Sequence, residues 1–97
     1  MATKKFLTTR NFNKTNIKKV PTGKPIVYKL KDNAGRNIYT GKAKRSRAQE
    51  RLADHLPGGQ DPIPGAAAFQ VKQKQLVAQA EKEEKEIIKK EKPEYNK

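Results

Sequence analysis

Residues 26–43, IVYKLKDNAGRNIYTGKA, decide the fold of this chain. Apolar and polar side chains alternate in residues 26–31, and residues 37–43 form a second run with strand character, so the pattern predicts an antiparallel hairpin. Each predicted strand carries one tyrosine, which is Tyr28 in the first and Tyr39 in the second. We therefore expect two phenols close together on one small sheet.

The turn between the two strands sets their register. It has hairpin composition, DNAGR, over residues 32–36. If the turn centres between its second and third residues, Tyr28 lies directly opposite Tyr39. If Gly35 instead forms a bulged three-residue loop, the register moves by one residue and the two phenols become diagonal neighbours.

Gly41 weakens the second strand, which indicates that a backbone or a ligand approaches it closely.

The positive charge is concentrated in residues 1–80. The net charge is +13, and residues 81–97 hold six lysines and six glutamates, so the whole excess lies before them. The first 24 residues contain seven basic side chains and no acidic one. Such a one-sided charge is typical of proteins that bind a polyanion, most simply nucleic acid. A basic surface that only keeps the protein soluble is the main alternative, ahead of an acidic protein partner or an anionic membrane.

The composition excludes several other kinds of protein. With 97 residues, 33% of them hydrophobic, we expect at most one domain with a small core. The chain has no cysteine, which excludes disulfides, thiolate metal sites and cysteine nucleophiles. The charged start has no apolar run behind it, so we expect no signal peptide and no membrane span. We expect a soluble protein that acts in the cytoplasm, and a toxin-like domain of a larger secreted protein also fits.

The remaining segments complete an α+β fold. Residues 1–21 form a basic arm that adds at most an edge strand, and residues 22–97 form the domain. Outside the hairpin, the sequence predicts a helix, a third strand and a long helix, at residues 46–56, 66–73 and 74–92 respectively. The expected fold is a small three-stranded antiparallel sheet flanked by helices.

The first predicted helix has an apolar face and a basic face. Ser46 followed by Gln49 is a capping-box signature that predicts where the helix begins. The apolar face consists of Ala48, Leu52 and Leu56, and the basic face consists of Arg47, Arg51 and His55. Side chains at this spacing lie above one another on a helix, so we expect a basic ridge beside an apolar seam.

The long helix places one carboxylate within its apolar stripe. The stripe consists of Leu76, Val77, Ala80, Ile87 and Ile88. Glu84 lies near its middle, whereas Glu81 and Glu86 lie outside it. A carboxylate there must be paired, protonated or bound to a metal, because an unpaired charge is costly to bury. The alternative is a loosely packed helix in which Glu84 pairs with a neighbouring lysine such as Lys85.

Several short motifs follow one another between residue 25 and the C-terminus. They are Val27-Tyr28, Tyr39-Thr40-Gly41 within residues 38–44, Arg51-Leu52, Glu84, and Pro93-Glu94-Tyr95-Asn96. In this order they resemble the GIY-YIG nuclease superfamily, and the resemblance covers residues 25–97. Residues 38–44, IYTGKAK, resemble the corresponding piece of the family members that act in bacterial nucleotide-excision repair.

The chain departs from the family pattern at three places, of which Thr40, where the family has isoleucine, is harmless. Ile26 replaces the first glycine of the motif, and the segment before Arg51 is longer than in the repair nuclease. Arg47 therefore competes with Arg51 for the role of the catalytic arginine. We expect Arg51, because Leu52 follows it and because His55 then lies one turn further along the same face.

The resemblance implies a phosphodiester hydrolase that uses one divalent metal ion. It implies that Glu84 is the protein ligand of Mg²⁺ or Mn²⁺, which suits a hard oxygen donor. It also implies that Tyr28 helps to activate the attacking water, which needs nearby cations because a phenol ordinarily ionises near about pH 10. Lys42 and Arg51 supply such charges, and the fork of Arg51 suits the scissile phosphate.

Three further residues have implied roles in the site. Tyr39 is expected to orient the water or the phosphate by hydrogen bonding. Asn96 is expected to brace the site or to contact phosphate. His55 is a candidate proton carrier, although a histidine on a helix surface is more often structural.

The expected substrate is DNA, with RNA as an alternative. The candidate nucleic-acid contacts are Lys42, Lys44, Arg45, Arg47 and Arg51. We expect low sequence specificity, because the nuclease fold leaves no room for a separate DNA-reading domain. A toxin-like effector with an immunity protein, a mobile-element nuclease and a module recruited by a targeting partner all fit. The alternative function is a non-catalytic nucleic-acid-binding module on the same fold.

Overall fold

The chain folds around a four-stranded antiparallel sheet. A computed structural model describes Phe6 and residues 9–96. In chain order, the elements are β1 (Arg10–Asn11), α1 (Lys14–Ile17), β2 (Ile26–Lys31), β3 (Asn37–Ala43), α2 (Ala48–Asp54), β4 (Ala68–Gln73) and α3 (Val77–Glu91). The strand order is β1-β4-β2-β3, so β2 is central and β3 is an edge strand. The predicted α+β class is confirmed, but the expected number of three strands is wrong because β1 adds a fourth.

The extra strand comes from the segment that we predicted as a basic arm. Arg10 of β1 pairs with Phe69 of β4. Ile17 at the end of α1 and Val20 just after it are buried in the same core as the sheet. From residue 10 onward the predicted arm is therefore packed against the domain. Residues 1–5, 7 and 8 of the predicted arm lie outside the described residues.

The β2–β3 hairpin has the bulged three-residue loop of the second alternative. Gly35 adopts a left-handed conformation with a φ of 82°, which a glycine tolerates. Tyr28 pairs with Gly41, and Tyr39 pairs with Leu30. The two phenols are therefore diagonal neighbours with ring centroids 6.2 Å apart, and direct opposition is wrong. An irregularity in the ladder next to Leu30 shifts the register further than we expected.

The two faces of the sheet differ in chemistry, because side chains alternate along each strand. The apolar face consists of Ile26, Tyr28, Leu30, Phe69 and Val71. The lysine face carries Lys29, Lys42 and Lys72 around the buried Val27. Helix α2 packs on the apolar face through Ala48 and Leu52, which are fully buried. Helix α3 covers the lysine face and contacts both β2 and β3.

Helix α2 begins differently from the prediction. Its N-cap is Arg47, which makes no side-chain capping bond, and Ser46 has a φ of 69°. The side-chain amide of Gln49 donates instead to the carbonyl oxygens of Lys18 and Val20. The predicted capping box is wrong, because the side chain of Gln49 bonds to the segment after α1 and does not cap the start of its own helix.

Helix α3 packs on the sheet through a short apolar stripe. Ala80 and Ile87 are buried, but Leu76 and Val77 are 60% and 38% exposed. The predicted stripe is therefore correct at its centre and wrong at its N-terminal end. None of the helices within the described ranges is long and apolar enough to cross a membrane.

Candidate active site

A pocket of about 430 Å³ opens beside the edge strand β3. Its walls are formed by Tyr39, Lys42, Ala43, Lys44, Arg51, Val77, Ala80, Glu81 and Glu84. Strand β3 supplies one wall, α2 contributes an arginine and α3 contributes two carboxylates. The pocket thus brings together four of the predicted catalytic residues, Tyr39, Lys42, Arg51 and Glu84.

Tyr28 and His55 form a buried hydrogen-bonded pair behind this pocket. Both side chains are 0% exposed, and Tyr28 Oη lies 2.7 Å from His55 Nε2. His55 Nδ1 lies 2.8 Å from the backbone carbonyl oxygen of Asp61, which can only accept. His55 must therefore carry its proton on Nδ1, so Nε2 accepts and Tyr28 donates. The expected position of His55 on an exposed basic ridge is wrong, since the Asp61 loop covers it.

Burial holds both members of this pair in their neutral forms. It raises the pKa of Tyr28 far above its ordinary value, and the neighbouring Tyr39 phenol acts in the same direction. The guanidinium of Arg51 opposes this shift without cancelling it. Burial likewise lowers the pKa of His55, and the charge of Arg51 adds to the lowering. At neutral pH the pair is thus a phenol that donates to a neutral imidazole.

Tyr39 is the phenol that faces the pocket. It is half-buried, and its ring centroid lies 4.9 Å from that of His55. Gly41 makes room for this cluster of rings, because a Cβ there would lie 2.5 Å from Tyr28 Oη and 3.0 Å from Tyr39 Cε2. The close approach that we expected at Gly41 is therefore made by side chains of the protein, not by a backbone or a ligand.

Arg51 is the arginine that lines the same pocket as Glu84 of α3. Its guanidinium lies 3.7 Å from Asp54 and 3.8 Å from Asp61, and the side chain is 40% exposed. Arg47 pairs with Glu50 and lines only a neighbouring pocket, of about 260 Å³, that does not include Glu84. The geometry therefore favours Arg51 over Arg47 as the cation of the pocket.

Glu84 lies half-buried with its carboxylate near Lys42. Lys42 Nζ is 3.4 Å from Glu84 Oε1 and 4.0 Å from Glu81 Oε2, and the Glu84 side chain is 16% exposed. The partner is thus on β3 and is not the neighbouring Lys85. Glu81 was missed in the sequence because it lies outside the apolar stripe, although its spacing of three residues from Glu84 puts both on one side of the helix.

The pocket fits a metal ion that keeps most of its own waters. Among residues 9–96 there is no group of three or more acidic, histidine or cysteine side chains that could hold a metal. Glu84 is a hard oxygen donor at an open pocket, and Mg²⁺ is commonly bound through one or two carboxylates with water in the remaining positions. The donor set therefore fits Mg²⁺ or Mn²⁺ and does not fit a metal that needs a closed protein cage.

Asn96 lies outside the pocket and holds β3 in place. Its side-chain oxygen accepts from the backbone N–H of Thr40 at 2.7 Å, and its amide nitrogen donates to the carbonyl oxygen of Thr40 at 2.9 Å. The residue does not line the pocket. Asn96 thus braces strand β3 next to Tyr39 through both polar atoms of its side-chain amide.

The other predicted nucleic-acid contacts lie around the pocket mouth. Lys44 lines the pocket, while Arg45 and Arg47 are exposed on the connection between β3 and α2.

No protein-family model matches the sequence, and no curated protein matches it.

Proposed function

We propose that this chain is a divalent-metal-dependent endonuclease that hydrolyses DNA phosphodiester bonds with low sequence specificity on a GIY-YIG-like fold. The observation that carries the proposal is the pocket in which Tyr39, Lys42, Arg51 and Glu84 meet. A protein that only binds nucleic acid has no use for a carboxylate among the cations of its binding surface. A phosphodiester hydrolase needs these groups together: cations for the phosphate, a carboxylate for the metal and a polar group for the attacking water.

Arg51 is the group that we assign to the scissile phosphate. Its guanidinium is exposed enough to reach a substrate, and Asp54 and Asp61 hold it from behind. A planar fork of donors matches the geometry of a phosphate. Lys44, which lines the same pocket, adds a second positive charge for the phosphate backbone.

Tyr39 is the phenol that we place next to the attacking water. The sequence had suggested Tyr28 for this position, but Tyr28 is 0% exposed and does not line the pocket. In the proposed mechanism, Tyr28 keeps its proton on the hydrogen bond to His55. The two buried rings then form a rigid support against which the ring of Tyr39 packs. Tyr28 and His55 are therefore positioning residues.

Glu84 is the proposed protein ligand of the metal ion. The ion, when bound, supplies Lewis-acid stabilisation of the charge on the phosphate and the leaving oxygen. In its absence Lys42 Nζ is the cation nearest to Glu84. Lys42 is then free to turn towards the phosphate once the carboxylate is occupied, which gives it a role in substrate binding.

Substitution of Glu84 by glutamine tests the proposal. Glu84→Gln keeps the shape of the side chain and removes its charge, so we expect plasmid cleavage in the presence of Mg²⁺ to fall by more than about 100-fold, beyond the loss typical of outer-shell partners. DNA binding, measured in EDTA, is expected to be unchanged or tighter, because a negative charge is lost. The matched control is Glu86→Gln on the same helix, at an exposed position.

Two outcomes would contradict this assignment. Cleavage that persists in EDTA would exclude the metal role, and full activity of Glu84→Gln would exclude Glu84 as the ligand. If the wild-type protein binds DNA but never cuts it with Mg²⁺ or Mn²⁺, the chain is a nucleic-acid-binding module on this fold.

A further inference from the structure

The segment before β2 lies against the connection between β3 and α2. The amide of Gln49 donates to the carbonyl oxygens of Lys18 and Val20 at 2.9 Å each. The backbone N–H of Ser46 donates to the carbonyl oxygen of Thr22, also at 2.9 Å. Residues 18–24, which span the end of the predicted arm and the start of the predicted domain, are thereby held against the connection that follows the pocket residue Lys44.

This arrangement brings cations from two parts of the chain together. Ile26 pairs with Ala43 at the end of the β2–β3 ladder and Ser46 donates to Thr22, so Lys24 lies on one, and Lys44 and Arg45 on the other, of the two short segments between these contacts. We define the basic track as Lys18, Lys24, Lys44 and Arg45. Lys18, Lys44 and Arg45 are exposed, and Lys44 also lines the pocket, so the track begins at the candidate active site.

The basic track lacks counterions, unlike the lysine face of the sheet. Lys29, Lys72 and Lys74 are each paired with a glutamate of α3. No residue of the basic track forms an ion pair with any residue that the structure describes. Residues 18–24 and 42–47 contain no acidic side chain. Exposed charges of one sign repel each other, so a fold that gathers them without partners favours an external polyanion.

We propose that the basic track binds the phosphate backbone of duplex DNA as it leaves the pocket. This inference rests on the proposed function, because it takes DNA as the substrate. It adds that the segment after α1 belongs to the substrate-binding surface. A polymeric substrate is favoured over an acidic protein because the track is continuous with the pocket through Lys44. Contacts of this kind position the DNA without reading its sequence.

The test compares two charge-matched triple variants in the full chain. Lys18→Gln, Lys24→Gln and Arg45→Gln together remove three charges of the basic track. The control, Lys85→Gln with Lys89→Gln and Lys90→Gln, removes three exposed lysines of α3. Binding of a fluorescent DNA duplex is measured in EDTA over a range of salt concentrations, and cleavage kinetics are measured with Mg²⁺.

We expect the track variant to lower the slope of log affinity against log salt by about 2 to 3, since each phosphate contact contributes about 0.9. Its KM should rise while kcat is retained, because these contacts bind substrate and transition state equally. The single variant Arg45→Gln, at an exposed position, should lower the slope by about 1 and guards against misfolding of the triple variant.

The possible results separate this inference from the proposed function. An unchanged slope in the track variant, or an equal fall in the control, overturns the basic track. A wild-type protein that binds through the track but never cuts would remove the nuclease proposal and keep the track. Binding of an acidic protein that depends on the track, with no effect of the variant on DNA, would replace DNA as its partner.

Discussion

The two faces of the sheet are held by different forces. On the apolar face, Leu30 and Phe69 are buried against the core that includes Leu52 of α2. On the lysine face, ion pairs add to the burial of Ala80 and Ile87 of α3, with Lys29 Nζ 3.0 Å from Glu91 and two lysines 2.8 Å from Glu83. Burial of apolar surface involves no charge that salt can screen, whereas partly exposed ion pairs are screened. The helix that carries Glu84 is therefore the part of the fold that most depends on its ionic surroundings.

The candidate active site lies where these two faces meet. Along the edge strand β3, Tyr39 belongs to the side of the apolar face, and Lys42 belongs to the lysine face. Arg51 reaches the pocket from α2, and Glu84 reaches it from α3. Since α2 and α3 cover opposite faces, the pocket forms only when both helices are packed on the sheet.

The largest expected effect is on the apolar face. Leu30 is 0% exposed, so Leu30→Ala leaves a cavity and should cost about 2 to 5 kcal/mol of unfolding free energy. The loss should be the same at low and high salt, because no charge is involved. Urea unfolding followed by circular dichroism measures it. Leu76→Ala makes the same substitution at an exposed position and should change stability by less than about 0.5 kcal/mol. A comparable loss in both variants would contradict the assignment of Leu30 to the core.

A smaller effect is expected where the phenol meets the histidine. Tyr28→Phe leaves His55 Nε2 buried without a donor, which should cost about 1 to 3 kcal/mol. The control Tyr95→Phe removes a hydroxyl from a tyrosine that is 38% exposed and should be close to neutral. Equal losses in the two variants would contradict the buried hydrogen bond.

The same pair predicts how stability depends on pH. The folded-state pKa of Tyr28 is raised, so the unfolded chain ionises first and stability falls as the pH rises above about 10. The folded-state pKa of His55 is lowered, so the unfolded chain takes up a proton first and stability falls as the pH drops below about 6.5. Tyr28→Phe should lose the alkaline dependence and keep the acid one, which unfolding curves over a pH series would show.

Local pattern predicted the central elements of the fold but not the contacts made over long distances in the chain. Strands β2 and β3 occupy the residues where alternation and strand-forming side chains predict them. Strand β1 has two residues and exists because β4 pairs with it, which no local pattern indicates. The predicted capping box at the start of α2 is wrong for the same reason. Gln49 donates a hydrogen bond to Lys18, which is 31 residues away in the chain.

The sequence indicated which candidate side chains lie close together, but not which of them are buried. It singled out Tyr28, Tyr39 and His55, and the structure brings their rings together. Tyr39 faces the pocket because it lies on the edge strand β3, whereas Tyr28 is buried on the central strand β2, and local alternation does not reveal the order of strands in a sheet. Glu81 was missed because it lines the pocket from outside the apolar stripe, so burial was the wrong signal for it.

The smallest of the effects, and the one most sensitive to solvent, is expected on the lysine face at Glu83. Its carboxylate accepts from Lys72 Nζ and Lys74 Nζ at 2.8 Å each. Burial alone would raise the pKa of Glu83, but these two hydrogen bonds outweigh it and hold the pKa below its ordinary value. Glu83→Gln should therefore cost about 1 to 2 kcal/mol at low salt, between the ranges for exposed and buried pairs.

Salt and acid should both remove this contribution, which is what separates the lysine face from the apolar face. Added salt screens the pairs, so the difference between wild type and Glu83→Gln should shrink as salt rises. A lowered carboxyl pKa means that the stabilisation is present above about pH 4.3 and is lost as the pH falls through the folded-state value. Glu86→Gln removes the same charge from an exposed position and corrects for the change in net charge. If Glu83→Gln keeps its full effect at high salt, or if the control matches it, the ion pairs of Glu83 do not stabilise α3 and the two faces do not differ in their dependence on salt.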